Sequence, residues 1–296
     1  MTGPVSHVLP DGRWHFQHGP IDIIAYAQGD HAEVRRAHQV AWERFSTVLS
    51  ELVAELPTLR QPVGQACALQ GEIAQRMWHA CRACTASTSE FITPMAAVAG
   101  SVAQALIACY NRPGIGRAWV NNGGDIALYL TEGQQVRVGL FADLARLDDT
   151  MLATGVRTDG VLEIDAGLGV AGVATSGWRG RSYSLGVADS VTVLAATAAL
   201  ADAAATLIAN AVNVDHPHIV RRPASELKDD SDLVDIAVTV DVPLLTDEQI
   251  CQALQQGLEK AHALLQNRLI CASVLTCQGW FANTWSGEIS RMRLYA

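Results

Sequence analysis

Apolar and polar residues along the chain mark out its elements before any chemistry is considered. Within residues 12–27, two short strand-like pieces flank the turn signal His18-Gly19-Pro20. Asp30 is placed to cap a helix over about 31–55, where Val40, Trp42, Phe45, Val48, Leu49, Leu52 and Val53 recur at helical spacing and Pro57 ends the pattern. Residues 68–84 read as a second helix. Thr93-Pro94 opens a third, from Met95 to about Cys109, whose alanines and scarce charges predict burial. Asn111-Arg112-Pro113-Gly114 is a stop. Ala118-Trp119-Val120 enters a strand that Asn121-Asn122-Gly123-Gly124-Asp125 interrupts and Ile126 to Leu130 resumes.

Further strands are expected at 135–141, 161–165 and 190–194, with a glycine-dense stretch from Gly167 to Gly186 before the last. A long apolar helix follows to about Asn210. Residues 213–235 are polar and read as a surface excursion. A strand at 236–242, a helix over about 247–267 capped by Thr246, and two or three strands in the tail 270–296 complete the pattern. Strands and helices mix without strict alternation, which predicts an α+β fold, taken as a single domain over residues 1–296.

Composition narrows the function. Of 296 residues 49% are hydrophobic and 17% charged, enough for a large core, and mean hydropathy is +0.16. That balance, with the alanine-rich helices, predicts a homo-oligomer. Thirty acids against 21 bases give a net charge of −9, which argues against a nucleic-acid partner. The run 191–212 approaches membrane-spanning length, but Asp202, Thr206 and Asn210 within it favour a buried helix, so no membrane association is expected. The first residues show no leader pattern, and seven cysteines, an odd number, favour free thiols; a cytoplasmic protein is the expectation.

Four segments are candidates for chemistry. Asp202 and Thr206 stand one turn apart in the apolar helix, so a carboxylate and a hydroxyl share a face and suit a hard cation such as Mg²⁺. The plain alternative is that Asp202 caps a neighbouring helix or pairs with an arginine. Asn121 to Asp125 offers two glycines for close backbone approach, or simply a hairpin turn. Ala174-Thr175-Ser176-Gly177-Trp178-Arg179-Gly180-Arg181 offers hydroxyls, amides and arginines to phosphate oxygens, or is an exposed turn. Cys81 and Cys84, with His79, form a lone Cys-x-x-Cys without a second pair at metal spacing, which favours a structural role; His216 and His218 sit in the polar excursion and favour solvent.

Taken in order, these pieces resemble the ApbE-like superfamily, whose enzymes are FAD:protein FMN transferases, and within it an uncharacterised prokaryotic branch. The likeness to that branch runs from about Gly12 to Val240 and includes Gly19-Pro20-Ile21-Asp22 and Thr93 to Gly100. The wider family's Asn-x-Gly-Gly-Asp is matched by Asn121, Gly123, Gly124 and Asp125, and its Thr-Ser-Gly turn by Thr175, Ser176 and Gly177. Its Ser-Val-Thr-Val strand is matched from Ser190 to Val193, and its Ala-Asp-Ala-x-Ala-Thr helix by Ala201, Asp202, Ala203, Ala205 and Thr206. The resemblance implies antiparallel sheets backed by helices. It also implies Mg²⁺ held by Asp202, Thr206 and the carbonyl of Ala97, with FAD or FMN as the ligand.

Departures from the pattern fall on the flavin side. The family's aspartate three residues before the ligating carbonyl is Pro94 here, and its lysine is Gly100. Its histidine segment is reduced to Tyr183 to Asp189, with Asp189 as a remnant or replacement for a flavin-binding residue. Two expectations result: a Mg²⁺-dependent protein that binds or acts on a flavin or another phosphate-bearing small molecule, or an inactive accessory protein of the same fold.

Overall fold

A computed structural model describes residues 3–86, 90–140, 158–180 and 182–291. Residue 141, Arg181 and residues 292–296, each part of an expectation above, lie outside the described residues. The chain divides into two compact units, one of Met1–Val136, Ile164–Ala174 and Leu194–Ala203, the other of Arg137–Glu163, Thr175–Val193 and Ala204–Ala296.

The first unit is built on antiparallel strands β1 (Val5–Val8), β2 (Trp14–His18), β3 (Ile21–Gly29), β4 (Ile115–Asn122) and β5 (Asp125–Leu130), paired in that order. Burial alternates along β3, so Ile21, Ile23, Ala25 and Ala27 face inward, as a period of two requires. Helix α1 (His31–Ala54) covers β2 and β3. Its cap is the expected one: the Asp30 carboxylate accepts the amides of Ala32 and Glu33. Phe45 of α1 packs on Phe16 of β2 with ring centroids 5.5 Å apart. Helix α2 (Glu72–Cys84) packs on α3 (Val98–Ile107), which lies on β4 and β5. The helix expected from Met95 starts as a 3₁₀ turn, Pro94–Ala97, and becomes α-helical at Val98. Proline 94 at the first position fixes that entry.

The interruption at Asn121–Asp125 is a chain reversal. Asn122 pairs with Asp125, and Gly123 and Gly124 between them take φ of 66° and 116°. Two successive positive φ values give the mirror-image turn that matches strand twist, and glycine adopts it without a Cβ clash.

Strands β6 (Gln135–Leu140), β7 (Gly160–Asp165) and β8 (Gly172–Ser176) follow in sequence. In the second unit β12 (Ala272–Cys277), β13 (Trp280–Asn283) and β14 (Ile289–Arg291) form an antiparallel meander, and β12 also borders β9 (Ser190–Ala195). Strand β9 is buried at every position, its polar Ser190 and Thr192 included. Helix α5 (Asp247–Gln266) packs on β12 and β13 and opens with a complete capping box of Thr246 and Gln249. The stretch 213–235, expected as an excursion, contains strand β10 (Val220–Pro223), which pairs with β11 (Ala237–Asp241), and one helical turn at Ala224–Leu227. Charged and proline residues hid β10 from a periodicity reading, while β11 stands where the strand at 236–242 was expected. Between α3 and α5 in sequence, α4 (Ala198–Ala211) starts three residues after β9 ends, with the Thr197 hydroxyl accepting the Leu200 amide. The observed architecture is α+β, with antiparallel sheets backed by helices.

Candidate functional site

Residues of the first unit gather around one peptide group. The Ala99 carbonyl accepts from Asn122 Nδ2 at 3.1 Å, and the Gly100 amide donates to Asp202 Oδ2 at 2.8 Å. Both belong to the peptide joining Ala99 to Gly100, so the first turn of α3 is held from the hairpin on one side and from α4 on the other. Asp202 therefore caps a neighbouring helix, the plain alternative named above, with its carboxyl oxygen at the positive end of α3. Gln104 adds a return contact, its Oε1 accepting the Ala199 amide at 3.2 Å.

Close packing makes this possible. A Cβ on Gly100 would lie 2.3 Å from the Ala198 carbonyl oxygen and 2.9 Å from Asp202 Cβ. No side chain fits there, so the family's lysine has no room at this position. Ala97 is fully buried just ahead of α3.

The Asp202 carboxyl is held well above the usual carboxylate range. Burial is the largest cause, the Asp125 charge adds to it, and the Gly100 and Ala99 amides pull the other way. Two carboxyl groups within electrostatic reach in a part-buried setting make it costly to ionise both. Asp125 is itself half-buried, at the first position of β5. Asn121 instead braces the turn, its Oδ1 accepting the Gly124 amide at 2.8 Å. Thr206 follows Asp202 by one turn along α4. Among the described residues no group of three or more His, Cys, Asp or Glu side chains has metal-binding geometry. The set implied by the resemblance is of another kind, one carboxylate with a hydroxyl and a carbonyl, all oxygen donors suited to a hard cation.

Residues of the second unit form a separate polar group. Thr175 and Thr192 join hydroxyls at 2.9 Å, and Ser190 and Thr276 do so at 2.8 Å. Gly177 is fixed by contact: a Cβ there would lie 2.4 Å from the Asp189 carbonyl oxygen. The Asp189 side chain is buried; its Oδ2 accepts the Gln278 amide at 2.5 Å and its Oδ1 lies 3.7 Å from Arg179 Nε. Arg179 rests on the Trp178 ring, its guanidinium carbon 4.8 Å from the centroid. Cys277 beside them is pushed up to about 12, by burial first and the Asp189 charge second.

Other predicted features take quieter roles. Cys81 and Cys84 are buried in α2, and Cys81 Sγ donates to the Thr93 carbonyl. A surface hollow of about 460 Å³ lies between Glu132–Gln135 and Asp165–Gly167, and none of the predicted site residues lines it. Asn122 and Gln104 escaped the sequence reading. Asn122 occupies the variable position of its motif, and nothing local marks Gln104 as a partner of a helix 95 residues away.

Motif order and the family model together mark an ApbE-like protein. The family model described as "AbpE bacteria" matches residues 6–288, and the chain belongs to that family. A UPF0280 protein of Methanopyrus kandleri is 40% identical over 151 residues, covering 50% of this chain and 56% of the relative. One of Methanothrix thermoacetophila is 38% identical over 135 residues, covering 45% and 52%. The chain thus spans about half the length of the curated relatives it matches. Among solved structures, the apo form of Pseudomonas stutzeri flavinyl transferase ApbE is similar at 12% identity and a TM-score of 0.41, covering 72% of this chain and 85% of that one. Among the described residues no helix is long and apolar enough to cross a membrane.

Proposed function

We propose that this protein binds Mg²⁺ at Asp202 and, through it, a flavin or another phosphate-bearing small molecule, with FMN transfer as the reaction class. One observation carries the reading: a carboxylate is retained in an apolar helix, seated at the first turn of α3, with a second carboxylate acting on it. A divalent ion would relieve that repulsion at the Asp202 carboxylate, with Thr206 and the Ala97 carbonyl as the further oxygens the family resemblance implies. When bound, the ion supplies charge neutralisation to phosphate oxygens. The amides and hydroxyls of Thr175 to Gly177 and the Arg179 guanidinium suit the same phosphate chemistry. Calorimetry with Mg²⁺ and FAD, FMN or ATP tests this. Metal-dependent binding that Asp202→Ala abolishes supports it; no binding to any of the three removes it.

Pro94 favours a second reading. It stands, buried, where the family's flavin-contacting aspartate is expected. An accessory protein that kept the fold and lost turnover fits that change. Incubation with FAD, Mg²⁺ and a threonine-containing acceptor peptide separates the two, since covalent flavin on the peptide excludes a purely structural role. The proposed homo-oligomer is tested by analytical ultracentrifugation, where a monomer at micromolar concentration contradicts it.

A further inference from the structure

The first two strands place two histidines directly opposite each other, with His7 of β1 paired to His15 of β2. Opposed residues of an antiparallel pair bring their Cβ atoms to about 4.5–5.5 Å, close enough for two imidazoles to meet. Here His7 Nε2 lies 3.1 Å from His15 Nδ1, with the rings nearly perpendicular. His15 Nε2 lies 2.8 Å from Asp22 Oδ1 on the next strand. His7 is exposed, while the side chains of His15 and Asp22 are 19% and 44% exposed.

The carboxylate sets the tautomer. An ionised Asp22 accepts only, so His15 carries its proton on Nε2 and presents the Nδ1 lone pair toward His7. That is the arrangement of a metal-ligating imidazole backed by a carboxylate. His7, open to water, can move its own proton to Nδ1 and free Nε2. Two nitrogens 3.1 Å apart, each about 2.0–2.1 Å from a shared ion, subtend roughly 100° at it, close to a tetrahedral angle.

We propose that His7 and His15 form a two-imidazole site for a transition-metal ion of the Zn²⁺ class, with Asp22 as the positioning residue behind His15. Water completes the coordination on the exposed side. The ligand chemistry is distinct from that of the all-oxygen group at Asp202: nitrogen donors select Zn²⁺ and its neighbours over Mg²⁺. The site would also hold β1 in place. All four residues of that strand are exposed, Val5 and Val8 by 51% and 54%, so little apolar burial fixes it to β2.

Titration of the full chain with Zn²⁺ in excess Mg²⁺ tests this, compared with His7→Ala, His15→Ala and Asp22→Asn. The expected result is one micromolar site in the wild type, weakened at least tenfold by either histidine substitution and about tenfold by Asp22→Asn. Co²⁺ at the same site gives visible d–d bands without thiolate charge-transfer absorption, which separates it from the cysteines. Zn²⁺ also slows amide exchange over residues 5–8 in the wild type and not in His7→Ala. Equal Zn²⁺ affinity in wild type and both histidine variants overturns the site. Unchanged affinity in Asp22→Asn overturns the role given to Asp22. Asp202→Ala is expected to bind Zn²⁺ as the wild type does; loss in that variant also overturns the proposal.

Discussion

The Gly100 backbone N–H donates to Asp202 Oδ2 at 2.8 Å, across 102 positions of sequence. One carboxylate thus caps α3 and is also the proposed cation ligand, and two substitutions separate the roles. Asp202→Asn keeps an acceptor for the amide and removes the charge that burial and Asp125 oppose. Its unfolding free energy is expected within about 1 kcal/mol of the wild type. Asp202→Ala leaves the amide without its acceptor and is expected to lose about 1–2 kcal/mol, as other lost caps do. Both variants should lose Mg²⁺-dependent ligand binding. Urea unfolding and calorimetry on the same preparations check this; an asparagine variant that still binds Mg²⁺ normally contradicts the metal role.

Gly100 is the second test of the same packing. A methyl group there meets the Ala198 carbonyl, a backbone atom that cannot turn aside. Gly100→Ala is expected to cost about 2–3 kcal/mol, the upper range for overpacking. Gly64→Ala is the control, since a Cβ at that position meets nothing within 4 Å. Equal urea midpoints for the two variants would show that α3 and α4 part more easily than the contact distances indicate.

The elements were legible in the sequence wherever a local pattern creates them. Asp30 and Thr246 cap the helices they announce, and the glycine pair at 123–124 turns the chain as its dipeptide suggests. The site was legible only as separate motifs. That Asp202 meets Gly100 depends on tertiary contact between two alanine-rich helices, and alanine periodicity does not say which faces touch. Strand β10 was hidden because an edge pair rich in arginine and proline carries no apolar alternation. The role of Asp189 was hidden for a similar reason: its partner, the Gln278 amide, lies 89 positions away.

Asp189 joins two segments of the second unit, and its removal should be felt in both. Its carboxylate accepts the amide of Gln278, a residue held at φ 44° in the β12–β13 turn, and faces Arg179. Asp189→Ala leaves that amide unpaired in a part-buried place and removes the carboxylate facing Arg179. A loss of about 2–3 kcal/mol is expected, chiefly from the unpaired amide, because the partly exposed guanidinium can turn to water. Asp189→Asn retains the acceptor and should cost less than half as much. If phosphate ligands bind through Arg179, Asp189→Asn weakens them by freeing the guanidinium from its set position, and Arg179→Ala weakens them further. Urea midpoints read the first effect and FMN titration the second; tighter FMN binding in Asp189→Asn would mean that the carboxylate opposes the ligand instead of orienting its partner.

His38 gives the protein a pH dependence of defined sign. Its ring is buried, stacks on Trp14 with centroids 5.1 Å apart, and has Nδ1 2.8 Å from the Tyr110 hydroxyl. Burial holds the Tyr110 phenol protonated, so it donates to Nδ1 and His38 stays neutral with its proton on Nε2. Burial likewise lowers the imidazole from 6.5 to about 4. Between those pH values the unfolded chain binds a proton that the folded protein does not. Stability from this residue is therefore complete above about pH 6.5, falls as pH drops through the window, and changes no further below about 4. At about 1.36 kcal/mol per pH unit, the loss across the window is about 3 kcal/mol. His38→Gln can keep the contact with Tyr110 and cannot titrate there, so its unfolding free energy should fall less between pH 7 and pH 4 than that of the wild type, by about that amount. Urea unfolding at four pH values measures both slopes, and parallel slopes would assign the acid sensitivity to other groups.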